Sequence, residues 1–139
     1  MSGKVCAATL ATLLLVAIGG CCFVFEGLRY EDELTSGYVV RAADTTAWTV
    51  LERDRGFSHS AAIVRSMVFA YGWNRDFIIV KRHPRSEIIP DMSVTEWYIV
   101  EVDSEHVHGP MTELHFTQMR EELGVPVALT FTREVKPDW

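Results

Sequence analysis

Cysteine is scarce in this sequence and is confined to its amino-terminal end. The 139-residue chain has three cysteines, Cys6, Cys21 and Cys22. Because none follows residue 22, the rest of the chain has no intramolecular disulfide framework and no Cys-x-x-Cys metal site. A packed core must hold it together, and a hydrophobic content of 48% is sufficient for one domain of this length.

Basic residues are also fewer than acidic residues. There are 13 lysines and arginines against 19 aspartates and glutamates, and the formal net charge is −6. Nucleic-acid-binding domains normally present a basic face to the phosphate backbone, so this balance argues against a nucleic-acid partner. It argues equally against adhesion to anionic lipid through charge.

Recognisable catalytic motifs are absent. The sequence contains no Gly-x-Ser-x-Gly, no His-Glu-x-x-His and no phosphate-binding glycine loop. Ser58-His59-Ser60 places hydroxyls beside an imidazole, but sequence neighbours rarely reach the geometry of a nucleophile and its base. Histidines could bind a metal if the fold gathered them, and the candidates are His83, His106, His108 and His115. We assign no catalytic residue, metal ligand or cofactor, and an envelope hydrolase or metal-dependent enzyme using clustered His and Asp is the alternative hypothesis.

A long apolar run occurs at the amino terminus. Lys4 is followed by the apolar stretch Val5–Ile18 and by Ile18-Gly19-Gly20-Cys21. A positive residue, an apolar stretch and small residues before a cleavage site are the order of a secretory signal. The last four residues resemble the lipobox of bacterial lipoproteins, in which an aliphatic and two small residues precede a cysteine. The resemblance implies cleavage after Gly20, lipid on the Cys21 sulfur and acylation of the new amino group, for example with palmitate.

Two other interpretations of this segment stay open. Val5–Phe25 is free of charge, and a helix of 21 residues would span ~30 Å, about one bilayer core. It could therefore remain as an uncleaved anchor, and a third reading is plain secretion. With a lipid or an anchor the domain would face away from the cytoplasm. The expected organisation is a signal peptide or anchor over 1–20, a tether over 21–36 and a domain over 37–139.

A hairpin is the centre of the predicted fold. Ile63–Tyr71 and Phe77–Lys81 are apolar runs separated by turn residues, and the run Phe77-Ile-Ile-Val suits a strand covered on both faces. Trp97–Val102 is a third run of this kind. Further strands are predicted at Tyr38–Ala42, Ala47–Glu52 and Val127–Glu134, with a long loop at Arg85–Val94 and a turn at Asp103–Gly109.

One helix is predicted between Thr112 and Gly124. Thr112 suits the N-cap, and Gly124 suits the position just past the last turn, with a proline shortly beyond. An apolar stripe for packing on the sheet consists of Leu114, Phe116, Met119 and Leu123. The predicted class is α+β: an antiparallel sheet of about five to six strands with one helix in the C-terminal half packed on it, preceded by the apolar signal or anchor helix.

Two stretches of the second half share a distinctive order of aromatic-rich strands. Tyr71–Pro84 reads YGWNRDFIIVKRHP, and Trp97–Asp103 reads WYIVEVD, followed by Gly109–Thr112 and a helix containing Phe116. Together they resemble a family of small, uncharacterised bacterial lipoproteins known only as a domain of unknown function. The resemblance implies an envelope location and this strand–strand–helix order, and it carries no activity.

A candidate binding residue lies in the predicted hairpin turn. Trp73 is a large aromatic, and such residues on loops are common binding anchors. We therefore expect a membrane-anchored protein of the bacterial cell envelope, non-enzymatic, with a binding or structural role. Its expected partners are the membrane, through lipid on Cys21, and an envelope protein.

Overall fold

The structure of the chain is a computed structural model that describes residues 30–56, 61–65, 67–87 and 89–137. The predicted signal or anchor segment, Cys21 and the Ser58-His59-Ser60 cluster lie outside these residues. Within them the elements are β1 (Tyr30–Glu33), β2 (Tyr38–Ala42), a 3₁₀ turn (Thr46–Trp48), β3 (Val50–Arg53), β4 (Ala61–Val64), β5 (Val68–Trp73), β6 (Phe77–Arg82), β7 (Arg85–Ser86), β8 (Ile89–Pro90), β9 (Glu96–Glu101), β10 (Val107–Met111), α1 (Glu113–Leu123) and β11 (Arg133–Glu134). The described fold is therefore α+β, dominated by antiparallel sheet, with one α-helix.

The strands form two antiparallel sheets, where the sequence predicted one. The first sheet has the order β1-β2-β3-β4, the second has the order β10-β9-β6-β5-β11, and β7 and β8 form a small ribbon. The chain crosses between sheets at Met67, which has a φ of 66° in the left-handed region. This break divides the predicted strand Ile63–Tyr71 into β4 and β5, because one extended strand cannot belong to two stacked layers.

The second sheet is covered on both faces. Its inner face packs on the first sheet through a cluster that includes Tyr38, Leu51 and Ile78. Its outer face packs on α1 through a cluster that includes Ile79 and Phe116. Ile78 and Ile79 are neighbours with no exposed surface, one on each face, which confirms the prediction for the apolar run of β6.

The helix prediction is confirmed at both ends. The Thr112 hydroxyl accepts the His115 backbone N–H, and Gly124 adopts a φ of 69° while its N–H donates to the last turn. Leu114 is the wrong member of the predicted stripe, with 72% of its surface exposed. It lies two residues from the buried Phe116, which places it on nearly the opposite side of a 3.6-residue turn. No helix among the described residues has the length and apolarity to cross a bilayer.

Part of the predicted tether belongs to the folded domain. Tyr30–Glu33 forms β1, which pairs with β2 from Tyr30↔Ala42 to Glu33↔Val39. The acidic residues of β1 are untypical of a strand, so the sequence did not predict it. In the structure Asp32 is half-buried and accepts a hydrogen bond of 2.7 Å from the Tyr71 hydroxyl. Tyr30–Glu33, at the end of the predicted tether 21–36, is therefore a paired strand of the first sheet.

Four other segments differ from their predictions. Ala47–Glu52 is strand only from Val50, because the Thr45 side chain caps the 3₁₀ turn before it. Val127–Glu134 pairs only at its last two residues, because Arg120 ties the preceding segment to α1. The predicted loop Arg85–Val94 contains the β7–β8 ribbon, and the predicted turn Asp103–Gly109 contains the start of β10.

Candidate functional site

A groove of about 760 Å³ lies between α1 and the segment that follows it. Its aromatic lining consists of Trp97 from β9, Phe116 from α1 and Phe131. The ring centroid of Trp97 lies 4.9 Å from that of Phe116 and 5.5 Å from that of Phe131. A concave space of this volume with an aromatic lining falls within the range of small-ligand and side-chain pockets.

The far wall of the groove is residues 124–131, which we call the C-terminal wall. The Arg120 guanidinium donates hydrogen bonds of 2.8 Å to the carbonyl oxygens of Pro126 and Leu129, and so ties this wall to α1. Val125 and Leu129 are each 7% exposed and anchor the wall in the outer cluster. The wall therefore has a defined position although it is neither helix nor strand.

The aromatic lining already contacts one positive charge of the protein. The Lys81 ammonium lies 4.0 Å from the centroid of the Trp97 ring and 4.4 Å from that of Phe131. An ammonium over the face of tryptophan is attracted by the negative potential of the ring. Lys81 thus makes an intramolecular cation–π contact with the Trp97 and Phe131 rings.

Two carboxylates lie on the helical side of the groove. Glu113 and Glu121 both line it and are exposed, eight residues apart on α1, which corresponds to ~12 Å along the helix. Neither side chain forms an ion pair with another described residue. The neighbouring Arg120 is occupied by carbonyl groups and Lys81 by the aromatic rings, so the charged lining residues without such a contact are the two carboxylates. The arrangement suits an apolar group that carries a positive charge beside it.

The candidate histidines lie at different places in the fold. His83 follows β6, stacks on Phe69 at 4.2 Å and donates a hydrogen bond from Nδ1 to the Val94 carbonyl oxygen. His108 contacts Glu101 at 2.7 Å near the other end of the sheet, and His106 packs against it. These two sites lie at opposite ends of the β6–β9 pairing. The ends are marked by the pairs Arg82↔Glu96 and Phe77↔Glu101, which are five residues or ~17 Å apart.

A metal site is not formed by these histidines. His115 lies exposed on α1, on a different element from the other three. No group of three or more His, Cys, Asp or Glu side chains in the described part of the chain could hold a metal ion. The convergence of these four histidines is not found among the described residues, and the enzyme hypothesis stays a prediction.

Trp73 is the last residue of β5, where the sequence placed it in a turn. It is half-buried, stacks on Tyr71 with a centroid separation of 6.0 Å, and has the Arg133 guanidinium 5.7 Å from its ring. Arg133 also reaches Asp32 of β1 at 3.3 Å. Trp73 therefore belongs to a contact that joins the two sheets, and a binding role for it stays a prediction.

A protein-family model matches most of the chain. A family model described as "Protein of unknown function (DUF3997)" matches residues 35–136 of the 139-residue chain. The chain belongs to this family. The region matched by the DUF3997 model begins just after β1 and contains α1 and the C-terminal wall, and so the whole groove. No curated protein and no solved structure matches the chain.

The groove residues of this DUF3997 chain were not identified from its sequence. The sequence predicts Trp97 and Phe116 only as core residues, and it predicts Glu113 only as a favourable charge at the start of the helix. A usable signal was the Gly124-Val-Pro126 sequence, which ends a helix and forces the chain to turn back beside it. The aromatic Phe131 then follows at a distance that allows the returning chain to close the groove.

Alkaline pH is expected to destabilise the domain through Tyr98. Burial and the hydrogen bond that its hydroxyl donates to Glu96 raise the pKa of Tyr98 to about 12. An unfolded tyrosine has a pKa of about 10. The contribution of the protonated Tyr98 hydroxyl to the free energy of unfolding is therefore complete below pH 10. It is lost as the pH rises towards 12. Urea unfolding at pH 8 and at pH 11 should show the loss.

The control for this prediction is Tyr98→Phe, which has no proton to lose at this position. Burial and hydrogen bonds to Tyr30 and Asp32 also raise the pKa of Tyr71, so some alkaline loss should persist in the variant. We expect a smaller drop in unfolding free energy between the two pH values than in the wild type. An identical drop would contradict the assignment to Tyr98.

Proposed function

We propose that this chain is a lipoprotein of a bacterial cell envelope, held on the membrane by lipid on Cys21, whose groove binds a segment of another envelope protein. The observation that carries the proposal is the order of Lys4, the apolar run Val5–Ile18 and Ile18-Gly19-Gly20-Cys21. The small residues allow a peptidase to approach the backbone, and the thiol is the nucleophile that accepts the diacylglyceryl group.

The start of the folded domain is consistent with anchoring at Cys21. Eight residues, 22–29, separate Cys21 from Tyr30. Fully extended, they reach at most ~30 Å, so the domain would stay close to the membrane surface. β1 is the first described strand and pairs with β2 over its whole length, so a tether at this point leads directly into the first sheet. A binding partner would therefore have to be reached at or near the membrane.

The chemistry of the groove supports binding rather than catalysis. Trp97, Phe116 and Phe131 line it with apolar surface, and its exposed charges are the carboxylates of Glu113 and Glu121. An apolar side chain next to a lysine or arginine would bury carbon on the aromatic rings and place its charge near a carboxylate. The proposed occupant is an apolar segment of a partner protein that carries such a basic residue.

Lipid labelling tests the anchor. Cells that express the wild-type chain or Cys21→Ala are grown with a labelled fatty acid, and the mature chain is weighed after membrane fractionation. We expect label on the wild type, a chain beginning at Cys21, and complete loss of label in Cys21→Ala because the accepting thiol is gone. The adjacent Cys22→Ala is the matched control and should keep both label and membrane location.

The opposite pattern would remove the lipoprotein proposal. An unlabelled chain with the mass of the intact sequence would mean that Val5–Phe25 remains as an anchor. An unlabelled, shortened chain in the soluble fraction would mean plain secretion. Label that persists in Cys21→Ala and disappears in Cys22→Ala would move the attachment site by one residue.

The occupant of the groove is tested with three six-carbon probes that differ only in their polar end. Hexylammonium, hexanol and hexanoate are titrated into the protein, and the indole N–H signal of Trp97 is followed by NMR. We expect hexylammonium to bind most tightly, with a dissociation constant on the order of millimolar, because its chain contacts the rings and its charge faces two carboxylates. Hexanoate should bind at least several-fold more weakly.

The charge preference should depend on the two glutamates of α1. In Glu113→Gln/Glu121→Gln the affinities for hexylammonium and hexanol should become equal, while the affinity for hexanol stays unchanged. Thr117→Trp, which adds a large side chain to the lining, should reduce binding of all three probes. Equal affinities for the three probes in the wild type would contradict the proposed occupant.

A further inference from the structure

An exposed apolar surface is displayed by the segment between β6 and β9. Ile89, Met92 and Val94 have 70%, 51% and 42% of their surface exposed, and all three lie within six residues of one another. Exposed apolar residues concentrated in one short segment indicate contact with another apolar phase. We call residues 85–87 and 89–94 the apolar ribbon.

The backbone of the apolar ribbon is held by hydrogen bonds while its apolar side chains remain outside. The Asp91 N–H donates to the Pro84 carbonyl at 2.8 Å, which closes the base of the ribbon. The Asp91 carboxylate accepts from the backbone N–H and the hydroxyl of Ser93. The carbonyl of Val94 lies 2.7 Å from Nδ1 of the buried His83. The exposed side chains are thus presented by a defined frame.

The apolar ribbon lies at the end of the domain from which the chain leads back to Cys21. Tyr30 pairs with Ala42 at one end of the first sheet, and the 3₁₀ turn Thr46–Trp48 continues from that end. The Arg85 guanidinium of the ribbon lies 5.2 Å from the Trp48 ring. The ribbon and the start of β1 therefore lie towards the same end of the molecule.

We propose that the apolar ribbon rests on the membrane that carries the anchor, with Ile89, Met92 and Val94 in the interfacial region of the bilayer. This inference rests on the proposed lipid at Cys21. A tether of eight residues keeps the ribbon close to the bilayer, so a contact too weak for an untethered domain becomes effectively intramolecular. The lipid sets the location, and the ribbon sets the orientation of the domain.

Apolar side chains, rather than charge, supply this contact. The charged residues of the described ribbon are Arg85, Glu87 and Asp91, which sum to −1. Anionic lipid therefore offers the ribbon no net attraction. The contact should form on zwitterionic phosphatidylcholine and should gain nothing from added phosphatidylglycerol.

Site-specific fluorescence on the full, lipidated chain tests the proposal. In a Cys22→Ser background, Met92→Cys is labelled with the environment-sensitive dye NBD, and the protein is reconstituted into phosphatidylcholine vesicles. The matched control is Ser104→Cys, an exposed position in the turn after β9, ~17 Å along the sheet from the ribbon end. Lipids with a nitroxide near the headgroup should quench the label at position 92 several-fold more than the label at 104.

A second substitution separates insertion from simple proximity. Ile89→Asp in the Met92-labelled chain should bring the quenching down to the level at position 104, because a charge at the interface opposes insertion. Replacing part of the phosphatidylcholine with phosphatidylglycerol should leave the quenching unchanged.

The outcomes distinguish this inference from the lipoprotein proposal. Mass spectrometry of the same preparation first shows whether Cys21 carries lipid, and its absence would overturn both. With lipid present, equal quenching at 92 and 104 would overturn the ribbon contact alone. Quenching that appears only with phosphatidylglycerol would also overturn it, because the contact would then be electrostatic.

Discussion

Replacing Gly72 by alanine is expected to destabilise the domain by about 3 kcal/mol or more. A Cβ at this position of β5 would lie 1.9 Å from the carbonyl oxygen of Thr130 and 3.0 Å from its carbonyl carbon. These are backbone atoms, so no rotation of a side chain can relieve the overlap. Either β5 or the C-terminal wall must move, and both are held by buried residues.

The matched control for this substitution is Gly124→Ala. Gly124 has a φ of 69°, and a Cβ there would have no atom within 4 Å, so it tests backbone conformation without overlap. A loss of about 1 kcal/mol is expected for it. Urea unfolding of both variants measures the difference. If Gly72→Ala is no less stable than Gly124→Ala, the close approach of Thr130 does not constrain the fold.

Gly72→Ala should also affect the groove, because Thr130 belongs to its C-terminal wall. If enough folded protein remains at low temperature, hexylammonium should bind it more weakly than it binds the wild type. This second measurement separates displacement of the wall from a general loss of stability.

Replacing Trp97 by alanine is expected to remove about 3 to 5 kcal/mol of unfolding free energy. Trp97 is 9% exposed and lies where β9, α1 and the C-terminal wall meet. The substitution leaves a cavity beside Phe116 and Phe131 and removes the ring over which the Lys81 ammonium lies. The stability of the outer cluster and the lining of the groove should therefore be lost together.

Two further variants serve as comparisons for the stability loss of Trp97→Ala. Trp97→Phe keeps an aromatic ring and should retain more than half of the lost stability. Trp73→Ala removes a half-buried ring at the joint between the sheets and should cost clearly less than Trp97→Ala. The order is measured by urea unfolding of the three variants. A larger loss for Trp73→Ala than for Trp97→Ala would contradict the assignment of Trp97 to the main contact of the outer cluster.

Signals that act over a few residues were predictive in this chain. The helix was located because Thr112 and Gly124 satisfy backbone groups within one turn of themselves. The hairpin of β5 and β6 was located because two apolar runs flank a turn, and Asn74 indeed accepts the backbone N–H groups of Asp76 and Phe77. The uninterrupted apolar run of β6 correctly indicated that its sheet is covered on both faces.

Signals that depend on distant partners were not predictive. β1 contains Glu31, Asp32 and Glu33, and its strand character depends on pairing with β2 and on the Tyr71 hydroxyl. The break at Met67 depends on the stacking of two sheets, which no local pattern encodes. The irregular C-terminal wall is placed by Arg120 and by the space above Gly72.

By itself the sequence determined the caps of α1, the β5–β6 hairpin and the α+β class, because each is encoded in neighbouring residues. Tertiary structure alone decided that there are two sheets, that the histidines lie apart, and that Trp97, Phe116 and Phe131 line a groove with an acidic edge. The physical reason is that these features arise from packing between elements far apart in the chain, where burial and excluded volume select among many locally acceptable arrangements.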